Sequence, residues 1–246
     1  MKFAVLADIH GNADALAAVL QDMDALGVSQ AVVLGDHFSG PLDAAGTADL
    51  LLDRNFTCIA GNHDRYLIEQ SPNGMGPSDR VAYDQLPAKA LDWLRGLPAT
   101  MTVFGDVLLC HGTPTSDSRY WLETVNADGT PRAATLTEVT RDAPDTPHTL
   151  ILCGHTHIPR RVRLDNGTVV LNPGSVGCPA YDDTHPVYHV MQTGSPDASY
   201  AIVEKDGSQW TSTFRNIPYD SRRMGTLARK HGREDWARAL VTGWLK

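Results

Sequence analysis

The feature that most constrains this chain is a series of short, wholly apolar segments, each ending in residues that can bind metal or move protons. Phe3-Ala4-Val5-Leu6-Ala7 is continuously hydrophobic, not alternating, which suits a strand buried on both faces. It ends in Asp8-Ile9-His10-Gly11-Asn12, where two metal-capable side chains flank one apolar residue. A helical stripe follows (Leu16, Val19, Leu20, Met23, Leu26), with Asn12 as N-cap and Gly27 as C-cap. Ala31-Val32-Val33-Leu34 ends in Gly35-Asp36, and a second helix over about 42–54 leads to the apolar run 56–60 and then Gly61-Asn62-His63-Asp64. The order is β-α-β-α-β. Right-handed crossovers align the C-terminal ends of such strands along one sheet edge, where α/β proteins collect their chemistry.

Downstream, residues 66–97 read as helical with a Pro/Gly-rich break at 71–78. Residues 100–103 and 106–110 form a hairpin turning at Phe104-Gly105, and its second arm runs into His111. The polar stretch 115–147 reads as loop with one helix at about 134–141, near the mouth of a site. Residues 149–153 are another buried strand, ending in Gly154-His155-Thr156-His157. A hairpin over 162–164 and 168–171 turns at Asp165-Asn166-Gly167. Gly174-Ser175 belongs to a tight loop, not a nucleophile elbow, because no helical pattern follows it. A last hairpin pairs 200–204 with 209–214, and the tail from Tyr219 is helical, with Trp236, Leu240 and Trp244 on one face. The expectation is one domain over 1–246, with 66–97 and 115–147 shaping a substrate site and 219–246 as a helical tail.

Composition narrows the function classes. The formal net charge of -8 argues against non-specific binding to duplex nucleic acid. An acidic chain that handles anions needs local positive charge, which bound divalent cations supply. No apolar run is long enough to span a bilayer, and the N-terminus carries no leader pattern. Four cysteines without a C-x-x-C pattern read as buried free thiols in a reducing cytoplasm.

Five strand ends carry similar cargo: Asp8/His10, Asp36, Asn62/His63/Asp64, His111 and His155/His157. Oxygen and imidazole donors without thiolate suit Mn, Fe, Zn or Ni ions better than a structural zinc. One carboxylate bridging two ions lets seven residues serve where eight would be needed. Two ions about 3.5–4 Å apart clamp the attacking and leaving oxygens of a phosphoryl transfer.

In order and strand context, Asp8-x-His10, Gly35-Asp36, Gly61-Asn62-His63-Asp64, His111 and Gly154-His155-x-His157 resemble the five blocks of the calcineurin-like metallophosphoesterase superfamily. Residues 172–177 with 198–203 and the helical tail resemble its compact bacterial subgroup of phosphodiesterase or diadenosine-tetraphosphatase-like proteins. The resemblance implies an α/β fold: an αββα sandwich of two mixed sheets flanked by helices, with a dinuclear metal site at the strand ends. It implies that Asp8, His10 and His157 hold one ion, Asp36 bridges, and Asn62, His111 and His155 hold the other, manganese being the first expectation. It further implies that a bridging hydroxide attacks phosphorus, that His63 protonates the leaving oxygen or stabilises the transition state, and that Asp64 orients His63.

The expected reaction is hydrolysis of a phosphodiester or nucleotide-type pyrophosphate. A phosphomonoesterase, including a protein phosphatase, is the alternative, and a non-catalytic scaffold on the same fold comes after it because every ligand position and His63 are filled. The expected partner is a small phosphorylated molecule such as a nucleotide, with no duplex nucleic acid and no membrane. His37 departs from the family pattern, which often has an apolar or small residue after the Asp36 position. It is expected to contact substrate or support a ligand. Arg65 is expected as a solvated charge or a phosphate contact, and Tyr120 and Trp121 as packing or base-stacking groups. The arginine-rich tail is expected as the solvated face of an amphipathic helix.

Overall fold

The computed structural model describes residues 1–207 and 209–245. Its first strand, β1 (Lys2–Leu6), explains why the opening run is apolar throughout. Side chains alternate across a strand. Phe3 and Val5 enter one core and Ala4 and Leu6 another, and all four are fully buried.

The chain continues through α1 (Ala13–Ala25), β2 (Ala31–Val33), α2 (Ala44–Leu52) and β3 (Thr57–Cys58). Three helices follow, α3 (Asn62–Glu69), α4 (Pro77–Gln85) and α5 (Ala88–Arg95), and then the hairpin of β4 (Met101–Val103) and β5 (Val107–Leu109). Next come β6 (Glu123–Val125), β7 (Pro131–Ala133), α6 (Leu136–Asp142) and β8 (Leu150–Leu152). The later strands are β9 (Arg160–Arg163), β10 (Val169–Asn172), β11 (Ala180–Asp183), β12 (His189–Gln192), β13 (Ala198–Asp206) and β14 (Gln209–Ile217). The helices α7 (Arg222–Lys230) and α8 (Glu234–Thr242) follow.

Two mixed five-stranded sheets make the α/β sandwich that was expected. One runs β14-β13-β1-β2-β3, with β1, β2 and β3 mutually parallel and β13 antiparallel to β1. The other runs β4-β5-β8-β10-β9, with β5, β8 and β10 parallel. Between them lie Phe3, Val5, Val32, Ile59, Leu109, Leu152, Leu171 and Trp210. The outer face of the first sheet packs on α1 and α2 through Leu6, Leu16, Val19, Val33 and Leu51. The outer face of the second packs Ile151 and Val170 on Trp121 and Leu122, which precede β6, and on Val139 of α6.

Asn12 caps α1 by accepting from Ala15 N at 3.1 Å. Gly27 sits just past the helix at φ 65, a conformation that glycine adopts without steric cost. The four cysteines are buried and free. No helix among the described residues is long and apolar enough to cross a membrane.

Four features differ from the sequence reading. The stretch 115–147 contains a hairpin, β6–β7, as well as a helix. Strands β11 and β12 pair as a second small hairpin. Asn62 is the first residue of α3, so Gly61-Asn62-His63-Asp64 is a helix start as well as a strand end. Trp244 does not share the face of Trp236 and Leu240: Gly243 turns left-handed at φ 75 and ends α8, leaving Trp244 48% exposed. The tail is also more than a solvated face. Arg223 bonds Asp14 and Asp43, each at 2.7 Å, tying α7 to the starts of α1 and α2.

Candidate metal centre

The seven residues expected as metal donors lie just past the C-terminal ends of β1, β2, β3, β5 and β8, so both sheets contribute. Five of them, Asp8, His10, Asp36, His155 and His157, adopt φ of 55, 51, 55, 69 and 60. Left-handed backbone at non-glycine residues is uncommon, and it clusters where surrounding structure enforces it. The chain thus reverses abruptly at the ends of β1, β2 and β8 and turns nearby side chains into one space. Glycine lets the loops close: a Cβ on Gly61 would collide with the Asp36 carboxylate and with His111.

Two donor groups result. Asp8, His10 and His157 present ligand atoms within 4.8 Å of one another, and so do Asp36, His111 and His155. Asn62 Oδ1 lies 3.1 Å from His111 Nε2, beside the second group. Asp36 Oδ2 reaches toward both, at 3.3 Å from His111 Nε2 and 3.7 Å from His10 Nε2.

The imidazoles are oriented from behind. His10 Nδ1 donates to Ser39 O at 2.8 Å, His111 Nδ1 to Leu34 O at 2.7 Å, and His157 Nδ1 to Cys178 O at 2.7 Å. A carbonyl only accepts, so each Nδ1 carries a proton and Nε2 faces inward, where a neutral ring offers its lone pair. His10 Nε2 and His157 Nε2 then face each other at 3.2 Å, with Asp8 Oδ1 3.4 Å from the latter. Lone pairs converging this closely repel unless a cation or proton lies among them. The donor set therefore fits divalent ions of the Mn, Fe, Zn or Ni kind.

Electrostatics agree. Burial pushes both carboxylates up, yet neighbouring imidazoles hold Asp8 below the usual carboxylate range and Asp36 well below it. Burial pushes His10 and His155 down to about 4. His111 rises to about 9 because Asp36 and Asp8 outweigh its burial.

His63 stands apart from both groups, its side chain 33% exposed at the cleft. Its orienting partner is Asp79 on α4, whose Oδ1 accepts from His63 Nδ1 at 2.8 Å. Ser39 Oγ donates to the same Asp79 oxygen at 2.5 Å and lies 3.2 Å from His63 Nδ1. Burial works against a charged imidazole, but Asp36 and Asp79 raise His63 to about 9. The expectation that Asp64 orients His63 is therefore corrected. Neighbouring residues in a helical turn do not face each other. Asp64 turns inward and accepts from Asp36 N at 2.8 Å, His37 N at 3.0 Å and Gly61 N at 2.9 Å. It thereby fixes the two loops that present Asp36 and Asn62. Nothing in the sequence between 65 and 79 marks Asp79, and only its place at the start of α4 could have suggested it.

His37 as a substrate contact is also corrected. It is fully buried, with Nδ1 2.8 Å from Asp64 Oδ2 and its ring 5.0 Å from Trp93. Burial pushes it down, but Asp64 overrides this and raises it to about 10. Arg65 is half-exposed and committed to Asp117 at 2.7 Å, with its guanidinium 4.8 Å from the Tyr66 ring. Trp121 is core, its indole N–H donating to Val139 O at 3.0 Å. Tyr120 lies beside the site, 5.1 Å from the His155 ring.

His10, Asp36, Asn62, His155 and His157 face one cleft of about 480 Å³ together with His63, with Asp8 and His111 buried behind them, and Trp236 and Arg233 also wall it. Paired imidazole–carboxylate groups sharing a cleft at parallel strand ends place the chain among metal-dependent hydrolases. The sequence profile of the calcineurin-like phosphoesterase superfamily domain matches residues 1–195, and the chain belongs to that superfamily. It is a metal-dependent phosphoesterase.

The crystal structure of a metallophosphoesterase from Sphaerobacter thermophilus is similar with a TM-score of 0.78 and 26% identity, over 99% of this chain and 100% of that one. A hypothetical protein from Pyrococcus horikoshii OT3 shares the fold, with a TM-score of 0.74 and 18% identity over 99% and 98% of the two chains. An uncharacterised protein of Methanocaldococcus jannaschii is 38% identical over 61 residues, a match spanning 25% of each chain.

Proposed function

We propose that the chain hydrolyses a small phosphodiester or nucleotide-type pyrophosphate in the cytoplasm, using two divalent ions, manganese first among them. Asp8, His10 and His157 would hold one ion, Asn62, His111 and His155 the other, and Asp36 both. The observation that carries this is the shared cleft: members of both imidazole–carboxylate groups line the same 480 Å³ space as His63.

When bound, the ions polarise the phosphoryl oxygens and lower the pKa of a water. The chain's own residues do the rest. The backbone carbonyls of Ser39, Leu34 and Cys178 lock three imidazoles in the tautomer that ligation needs. Asp64 holds the Asp36 and Gly61 backbones together. Asp79 holds the proton on His63 Nδ1, which leaves Nε2 to deliver a proton to the departing oxygen. Cations at Asp36 would cancel its contribution to His63 and leave Asp79 as the carboxylate that keeps the ring charged. Proton transfer of this kind is worth roughly 10²–10⁴-fold. The buried, unpaired thiols support a reducing compartment.

The test is hydrolysis of bis-p-nitrophenyl phosphate beside p-nitrophenyl phosphate, on protein stripped of metal and reloaded with Mn, Ni, Zn or Mg. Diester turnover restored by a transition metal is expected. Monoester turnover alone would make the chain a phosphomonoesterase, and no turnover with any ion would overturn the reading.

A further inference from the structure

The cleft over the donor groups has a neighbour. A second chamber of about 520 Å³ is lined by Tyr120, Trp121, Thr124 and Arg141. Ser118, Asp183 and His185 line both chambers, so the two adjoin. At the partition, Tyr181 of the first chamber donates its hydroxyl to Tyr120 of the second at 2.7 Å, and Tyr120 lies against His155. Each chamber falls within the range of about 300–1,000 Å³ that takes a small-molecule ligand. A monoester would need only one.

Charge says what the chambers can hold. In the second, Arg119 and Arg141 share Asp142 at 3.0 and 3.3 Å, and Glu138 is already held by Arg132 at 2.7 Å. Glu123 and Asp183 add carboxyl groups without adding a cation. In the first, Arg233 is closed on Asp235 at 2.6 Å, and Asp182 and Asp183 face the same space. A chain of phosphates recruits guanidinium groups, and among the described lining residues every arginine is already committed to a carboxylate. What the chambers do offer is flat aromatic surface, Trp236 in one and Tyr120 in the other, which suits rings and sugars.

We propose that the second chamber is a subsite for an uncharged organic arm, and that the substrate is a phosphodiester with such an arm on each side of phosphorus, not a pyrophosphate. This rests on the phosphoesterase reading above and narrows it. One arm lies toward Trp236 and the other passes Tyr120 into the space beside β6, with the phosphodiester over the donor groups.

The test compares three esters on the metal-loaded protein: thymidine 5′-(p-nitrophenyl phosphate), ADP-ribose as the pyrophosphate, and p-nitrophenyl phosphate. The diester is expected to exceed ADP-ribose in kcat/KM by at least about tenfold. Thr124→Trp, which fills the second chamber from a half-buried strand position, is expected to lower kcat/KM for the diester at least about tenfold more than for p-nitrophenyl phosphate. An unchanged ratio in the variant, or ADP-ribose as the better substrate, overturns the proposal while leaving phosphoester hydrolysis in place.

A second measurement needs neither turnover nor the variant's folding. Saturation-transfer NMR on the metal-stripped wild-type protein with thymidine is expected to show contact with the Tyr120 ring, and absence of that contact overturns the subsite. Failure of all three esters would remove the phosphoesterase reading, and the thymidine contact would still decide the subsite.

Discussion

At the scale of single residues, the pairing of His63 shows what spacing in a sequence can and cannot say. His63 and Asp64 are adjacent, which invites the reading that one orients the other. The helix that starts at Asn62 separates them, and Asp79, sixteen positions after His63 and beyond a Pro/Gly-rich break, takes that role instead. The seven expected donor positions stood out because they follow apolar runs, and the family resemblance set them apart from His63 and Asp64. Asp79 did not, because its partner is fixed only by how α4 packs.

Asp79→Asn is expected to lower kcat roughly 10–100-fold, with KM and bound metal little changed, and Asp79→Glu to recover part of the loss. Loss of metal in Asp79→Asn would instead make Asp79 a support of the ligands. Glu123 gives a pH-dependent expectation. Burial raises it to about 7 against Thr156 and Arg160, from an ordinary value of 4.5. The folded state then binds more protons than the unfolded state between those values, so this group's contribution to stability falls as pH rises from about 4.5 to about 7 and is flat above. Thermal melts of Glu123→Gln should lack that decline, so that the variant gains on wild type by about 3 kcal/mol across the interval. A constant difference from pH 5 to 8 would contradict the assignment.

Among the elements, strands buried on both faces read clearly and strands at the periphery did not. β8 is apolar throughout, β1 is apolar after Lys2 and β10 up to Asn172, because both faces are covered. β6 and β7 carry Glu123, Thr124 and Arg132, and β7 begins with Pro131, a position that proline tolerates at a strand start. Their polarity reflects one exposed face, so composition suggested loop. β11, with Asp182 and Asp183 on the wall of the cleft, was missed for the same reason.

The C-terminal helices lie beyond the stretch that the superfamily profile matches, yet α8 delivers Trp236 to the cleft. Leu240 is fully buried and anchors α8 among Leu42, Cys178 and Met224. Leu240→Ala is expected to destabilise the protein by about 2–5 kcal/mol in urea denaturation. A change under about 0.5 kcal/mol would mean that α8 is not part of the cooperative fold.

For the whole molecule, the central feature is convergence from two sheets. His111, at the end of β5 in one sheet, donates to Leu34 O in the other at 2.7 Å. Asp8, after β1, accepts from His155 N, after β8, at 3.1 Å. The sandwich thus brings donors far apart in sequence into one pocket and holds their loops in left-handed turns. Such conformations cost of order 1–3 kcal/mol each and persist only where packing enforces them. Burying Phe3, Val5, Leu109 and Leu152 between the sheets supplies that enforcement.

The most direct measurement is anomalous diffraction from crystals loaded with manganese. Two peaks about 3.5–4 Å apart are expected, one among Asp8, His10 and His157, the other among Asn62, His111 and His155, with Asp36 touching both. Both peaks should vanish in Asp36→Ala. A single peak, or two that survive the loss of Asp36, would contradict the dinuclear site.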